Sequence, residues 1–242
     1  TRRLHPIYGF ANIKEEILPI LKNNPGMILD GEFYVHSINL QQISSIVRDE
    51  NIDNEDKLKI KYYVFDYINL AENFTFEDRI EKLEIIFSNN IFNYLVLTPT
   101  FKINNEKEGN DLYELFIKDG YEGTVYKNPR ALYEASNIKE IRSYNYLKRK
   151  KAYDEEFEIA GFTCGIKGKD ANAAIFIMKT PEGRTFHAVP NMPLVERKKI
   201  YQDALKNFDS KYKGKLGTIS FDEWSTNGTP LRAKFLRLYE DI

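Results

Sequence analysis

The chain has 242 residues, 42% of them hydrophobic and 29% charged, enough for one large domain or two modest ones, each with its own core. Lys and Arg number 35 against 36 Asp and Glu, a formal charge of -1, so any nucleic-acid surface must come from local clustering of basic residues rather than bulk charge. The single cysteine, Cys164, excludes an internal disulfide framework and a multi-cysteine zinc site, and the scattered His5, His36 and His187 argue against a histidine-rich metal site.

The opening Thr1-Arg2-Arg3-Leu4-His5-Pro6 has neither the apolar core of a signal peptide nor an initiator Met. It predicts a chain that begins partway into a longer one. No apolar run reaches the roughly 18 residues of a membrane span, so we expect a soluble intracellular protein, in nucleus or cytoplasm, with no membrane partner. Met27-Ile28-Leu29 and Glu32-Phe33-Tyr34-Val35 read as two short strands about a tight Asp30-Gly31 turn. Asn39 to Arg48 places Leu40, Ile43, Ile46 and Val47 on one helical face, with Asn39 as cap. A strand over Lys59 to Phe65 follows, then a helix over Phe76 to Phe87 carrying Ile80, Leu83 and Ile86. Leu112, Leu115 and Phe116 predict a shorter helix ending at Asp119-Gly120, and Gly123 to Lys127 a strand stopped by Pro129.

Near residue 150 the composition shifts. Lys148-Arg149-Lys150-Lys151 abuts Asp154-Glu155-Glu156, a charge switch typical of an exposed connection. Beyond it lie strands at Phe157–Phe162, Ala174–Thr180, Thr185–Val189, Leu216–Phe221 and Ala233–Tyr239, and one helix from about Leu194 to Phe208. Five short strands and a helix suit a small Greek-key barrel of the oligonucleotide-binding (OB) type. The expected fold is α+β: a first domain, 1–151, of antiparallel sheets and helices, then an OB barrel over 152–242.

Several segments end a strand or turn with a charged or aromatic residue beside Gly or Asp. They are Thr1-Arg2, Asp30-Gly31-Glu32, Phe65-Asp66, Glu122-Gly123-Thr124-Val125-Tyr126-Lys127 and Lys148-x-Lys150. Two lysines two apart on a strand share a face and give a compact positive pair suited to phosphate. A carboxylate nearby suits a divalent ion that bridges phosphate oxygens, an aromatic offers a face to a base, and an acid beside Gly accepts from a ribose hydroxyl. Together they describe a nucleotide pocket for phosphoryl or nucleotidyl transfer.

In this order the segments resemble the ATP-dependent DNA ligases, within the covalent nucleotidyltransferases that include RNA ligases and capping guanylyltransferases. Leu29-Asp30-Gly31-Glu32, Tyr62-Tyr63-Val64-Phe65-Asp66, Glu122 to Pro129, Lys148-Arg149-Lys150 and Phe235 to Asp241 stand where that family carries its motifs. Singly each pattern is weak: Glu32 reads as a turn-flanking acid, Phe65 as core, Lys148 to Lys151 as solvated linker. Joint occurrence in order reverses those readings.

The resemblance implies an adenylation domain followed by the OB barrel. It implies a ligase core that seals 5′-phosphate/3′-hydroxyl nicks in duplex DNA through enzyme–AMP and DNA–adenylate intermediates, in repair, replication or recombination. ATP and Mg²⁺ or Mn²⁺ would be the cofactors, nicked duplex DNA the partner, and a monomer the expected state. By resemblance Arg2 contacts nick phosphate or the ribose, Glu32 holds the ribose and helps orient the metal, and Phe65 stacks on adenine. Glu122 binds metal, Lys148 and Lys150 neutralise the α-phosphate, Arg237 and Asp241 close over pyrophosphate, and Arg142 contacts DNA phosphate. One departure is an absence: the family's nucleophile motif, Lys-x-Asp-Gly, does not occur in these 242 residues. We expect it in an upstream segment, and expect this chain alone not to self-adenylate. The short stretch from Thr163 to Asn172 leaves encirclement of DNA to an upstream domain. The alternatives are an RNA ligase or capping guanylyltransferase, and a non-catalytic nick-binding fragment.

Overall fold

The computed structural model describes residues 6–36, 38–69, 71–134 and 143–239. Contacts divide the chain into two compact units, Thr1–Arg149 and Lys150–Ile242. Among the described residues no helix is long and apolar enough to cross a membrane.

Unit 1 opens with α1 (Ala11–Asn23), whose Ile13 and Ile20 are buried. The strand β1 (Met27–Tyr34) runs into α2 (Leu40–Arg48), which Asn39 and Gln42 start with a reciprocal capping box. The strand β2 (Lys61–Asn69) pairs antiparallel with β1. Next comes α3 (Phe76–Ser88), capped by Thr75 and Asp78, and then β3 (Leu95–Leu97). The chain continues through α4 (Glu106–Lys118) to β4 (Gly123–Lys127) and β5 (Tyr146–Lys150), which form a two-stranded ribbon.

Two expectations need correction. The Asp30-Gly31 turn does not form. Met27–Tyr34 is one strand along β2, with a register shift between Asp30 and Gly31. At that bulge a side chain on Gly31 would bring its Cβ to 2.5 Å from the Tyr63 carbonyl oxygen and 2.7 Å from the Tyr62 ring, so glycine is needed for close approach. The sheet is also not wholly antiparallel: β2 and β3 pair in parallel, Tyr62 opposite Leu95, because α3 carries the chain back before β3 begins.

Ile60, Val64, Tyr67 and Leu83 are fully buried and anchor the core between this sheet and its helices. Two polar clamps tie its edges. The Glu16 carboxylate accepts from the backbone N–H groups of Asn93, Tyr94 and Leu95 at 2.8–2.9 Å, which holds β3 to α1. Buried Lys57 donates to the carbonyls of Asp49 (2.6 Å) and Tyr8 (3.0 Å) and lies over the Phe10 ring.

Unit 2 contains β6 (Tyr153–Cys164), β7 (Ala174–Lys179), β8 (Thr185–Pro190), α5 (Leu194–Lys211) and β9 (Leu216–Phe221). A small ribbon of β10 (Glu223–Trp224) and β11 (Pro230–Leu231) precedes β12 (Lys234–Leu238). Five strands close into a barrel in the order β12-β8-β7-β6-β9, every pair antiparallel except β12 with β8. Alternation along β7 and β8 turns Phe176, Met178, Phe186 and Ala188 inward. They meet Phe157, Ile159, Ile219, Phe221 and Phe235.

Candidate functional site

The sheet edge and the β4–β5 ribbon of unit 1 border one cleft of about 2240 Å³. β1 contributes Glu32, β2 contributes Phe65, and β5 contributes Lys148. Tyr146, beside Lys148 on β5, and Lys127 on β4 border the same cleft. Glu122 stands between Tyr121 and Gly123, both of which border the cleft. Its charge and that of Glu32 both reach the Tyr34 phenol, which burial, neighbouring tyrosines and then these two acids push upward.

Lys150, two residues beyond Lys148, ends β5 and is the first residue of unit 2. Arg237 lies on β12 of the barrel, opposite Thr218. The expected roles of Arg2, Arg142 and Asp241 fall outside the described residues.

Beneath Phe65 lies a buried charge network. Asp66 is 1% exposed and receives a two-pronged bond from Arg79, Nε to Oδ1 at 2.7 Å and Nη2 to Oδ2 at 3.1 Å. The Tyr146 hydroxyl donates to the same carboxylate at 3.2 Å, and Tyr133 donates to Asp30 at 2.7 Å. Lys127 donates to the Phe65 carbonyl at 3.0 Å, with Asp66 Oδ2 at 3.6 Å. The rings of Phe76, Phe65 and Tyr146 surround its ammonium at 4.4, 5.2 and 5.3 Å. Burial lowers the Lys127 pKa, and Asp66 and Asp30 oppose that shift. Burial first, then Asp66, pushes Tyr146 up to about 12, so it stays a donor at neutral pH. One buried carboxylate therefore ties Phe65 on β2 to the strand that carries Lys148.

In the sequence Asp66 and Lys127 stand out only as parts of longer motifs, and Arg79 belongs to none. A signal existed: Arg79 falls on the apolar stripe of Phe76, Ile80 and Leu83, where an unpaired cation would be costly.

The donors fit a hard divalent ion. Among the described residues no three His, Cys, Asp or Glu converge. Glu32 and Glu122 would supply one or two carboxylates and leave the other positions to water and phosphate oxygens, as Mg²⁺ or Mn²⁺ prefers.

The family model of the ATP dependent DNA ligase domain matches residues 1–150. A DNA ligase of African swine fever virus (isolate Warthog/Namibia/Wart80/1980) is 29% identical over 244 residues, covering 97% of this chain and 56% of its own length. The DNA ligase of Enterobacteria phage T4 is 28% identical over 117 residues, 46% of this chain and 23% of that protein. The chain thus spans about half the length of the viral relatives it matches along its whole extent. A solved structure from work on DNA binding with a minimal scaffold in Lig E DNA ligases shares the fold, with a TM-score of 0.76 at 22% identity over 99% of this chain and 84% of that one. With well over half of its residues inside the family model, this chain belongs to the ATP-dependent DNA ligase domain family.

Proposed function

We propose that the chain is the core of an ATP-dependent DNA ligase, with unit 1 as its adenylation domain and unit 2 as an OB barrel. The carrying observation is that Glu32, Phe65 and Lys148, drawn from three strands, border a single cleft. The barrel supports the second half: its order and its one parallel pair are those of a five-stranded Greek key with a helix between the third and fourth strands.

In this reading the Phe65 ring offers its face to adenine, and Glu32 accepts from the ribose hydroxyls. Lys148 and Lys150 balance the charge that builds on the phosphate as it is transferred. Glu32 and Glu122 hold the divalent ion, which neutralises phosphate oxygens when bound. Arg2, Arg142, Arg237 and Asp241 keep the roles that family position gives them, the first two at phosphate or ribose and the last two over pyrophosphate. The partner is nicked duplex DNA. With no Lys-x-Asp-Gly in its 242 residues, the chain by itself attaches no AMP covalently.

The last chemical step needs no nucleophilic lysine, which makes it testable. The substrate is a nicked duplex already carrying AMP on its 5′-phosphate. The 3′-hydroxyl oxygen bonds to that phosphorus, the bond to AMP breaks, and the hydroxyl proton goes to solvent. We expect the chain with Mg²⁺ to seal this nick and release one AMP per seal, and the Lys148→Ala variant to seal it slowly. A chain that binds the nick but never seals it would instead be a non-catalytic binding fragment.

A further inference from the structure

Arg149 stands between the two lysines of β5, and strand alternation sends its side chain to the opposite face. Lys148 borders the cleft, and Arg149 turns toward α4, whose Gly109 and Leu112 border that cleft too. There its guanidinium carbon lies 3.9 Å from the centre of the Tyr113 ring. Its Nη1 hydrogen-bonds Asn110 Oδ1 and reaches the Tyr126 hydroxyl at 3.5 Å. None of these three partners is an acid. The contact is a planar group gripped on its face and its edge, a geometry that lysine does not reproduce.

The anchor is itself fixed. The Tyr126 hydroxyl donates to the Gly109 carbonyl at 3.1 Å. A Cβ on Gly109 would stand 3.1 Å from the Tyr126 ring, so the glycine lets that ring pack closely against α4. Elements α4, β4 and β5 therefore meet on one cation, and that cation is the last residue of unit 1.

We propose that Arg149 is a positioning residue: its grip on Tyr113 and Asn110 sets the twist of β5, so that Lys148 and Lys150 present their ammonium groups to the phosphates of a bound nucleotide. The proposal rests on the adenylate reading of the cleft. It assigns to the middle position of Lys148-Arg149-Lys150 a task that neither lysine performs. A strand free to rotate by tens of degrees would carry each ammonium several ångströms from the phosphate, and positioning errors near 1 Å are enough to cost heavily.

The test is calorimetric titration of the 242-residue chain with ATP and with adenosine. The ratio of the two affinities isolates what the phosphates contribute. Tyr113→Leu removes the ring but no charge, and Arg149→Lys keeps the charge without the planar fork. Each is expected to lower the ATP-to-adenosine ratio by about tenfold while adenosine affinity stays within about twofold, and the double variant to fall no further than either single one. Should Tyr113→Leu fail to give a native circular dichroism spectrum, Asn110→Ala takes its place, with the same ratio as readout. A folded Tyr113→Leu or Asn110→Ala chain that keeps the wild-type ratio, even at a lower melting temperature, overturns the proposal. A wild-type ratio of one overturns the adenylate reading itself, and this inference with it.

Discussion

Replacing Arg79 with Ala should destabilise unit 1 selectively, by an amount that the geometry bounds. Arg79 and Asp66 are 2% and 1% exposed, so solvent screening gives no relief when one partner is removed. The substitution deletes both prongs to Asp66 and the 2.7 Å bond to the Phe74 carbonyl. Breaking a buried pair on one side costs about 3–5 kcal/mol. Lys127 at 3.6 Å and the Tyr146 hydroxyl at 3.2 Å remain beside the stranded carboxylate, which places the loss toward the lower end. With a urea dependence of about 1–3 kcal/mol/M, a loss of about 3 kcal/mol moves the midpoint down by roughly 1–3 M.

The chain supplies its own control. Its one tryptophan, Trp224, lies in unit 2 and packs against Phe221 and Phe157. Urea unfolding followed at once by circular dichroism and by Trp224 fluorescence should show the unit 1 transition shifted and the fluorescence transition unmoved. A midpoint shift in unit 1 below about 0.5 M would mean that the network is not what holds Phe65 and β5 in register.

Two further expectations concern single positions. Gly31→Ala should cost about 1–3 kcal/mol in thermal unfolding, because its Cβ would press on the Tyr63 carbonyl and the Tyr62 ring; an unchanged melting temperature would refute the bulge. In unit 2, hydrogen bonds from Lys211, Tyr212 and Asn207 hold the Asp203 carboxyl well below the usual carboxylate range. A depressed folded-state pKa adds stability that is fully present above the unfolded value near 3.9 and disappears as pH falls through the folded one. Asp203→Asn should therefore flatten the acid limb of the Trp224 unfolding midpoint plotted against pH, and an acid limb as steep as wild type would contradict the assignment.

The sequence made local structure legible wherever local chemistry decides it. Asn39 with Gln42 begins α2 as its cap predicts, and Leu216–Phe221 is a strand with the bounds that its pattern implies. Features set by distant partners were hidden. Asp30-Gly31 is a hairpin signal in isolation, yet pairing with β2 keeps that chain extended and turns the signal into a bulge. The three residues of β3 are too few for periodicity, and their parallel pairing follows from the return through α3. Helix α1 went unread although Ile13, Ile17, Ile20 and Leu21 recur at helical spacing, because Pro19 inside it and the lack of a capping side chain remove its boundary signals.

The candidate site divides in the same way. Glu32, Phe65 and Lys148 are legible because their short motifs follow one another in the family's order, although all three stand inside strands rather than at the strand ends that the sequence implies. The residues that bring them together, Asp66, Arg79 and Lys127, act through burial, which one sequence shows only as a charge in an apolar stripe.

The most direct test of the shared cleft is hydrogen–deuterium exchange of the whole chain across a titration with ATP. If one nucleotide is held by β1, β2, β4 and β5 together, peptides covering 27–34, 61–69, 123–127 and 146–150 should gain protection with a single concentration dependence. Protection confined to other segments, or these four responding at separate concentrations, would contradict the account.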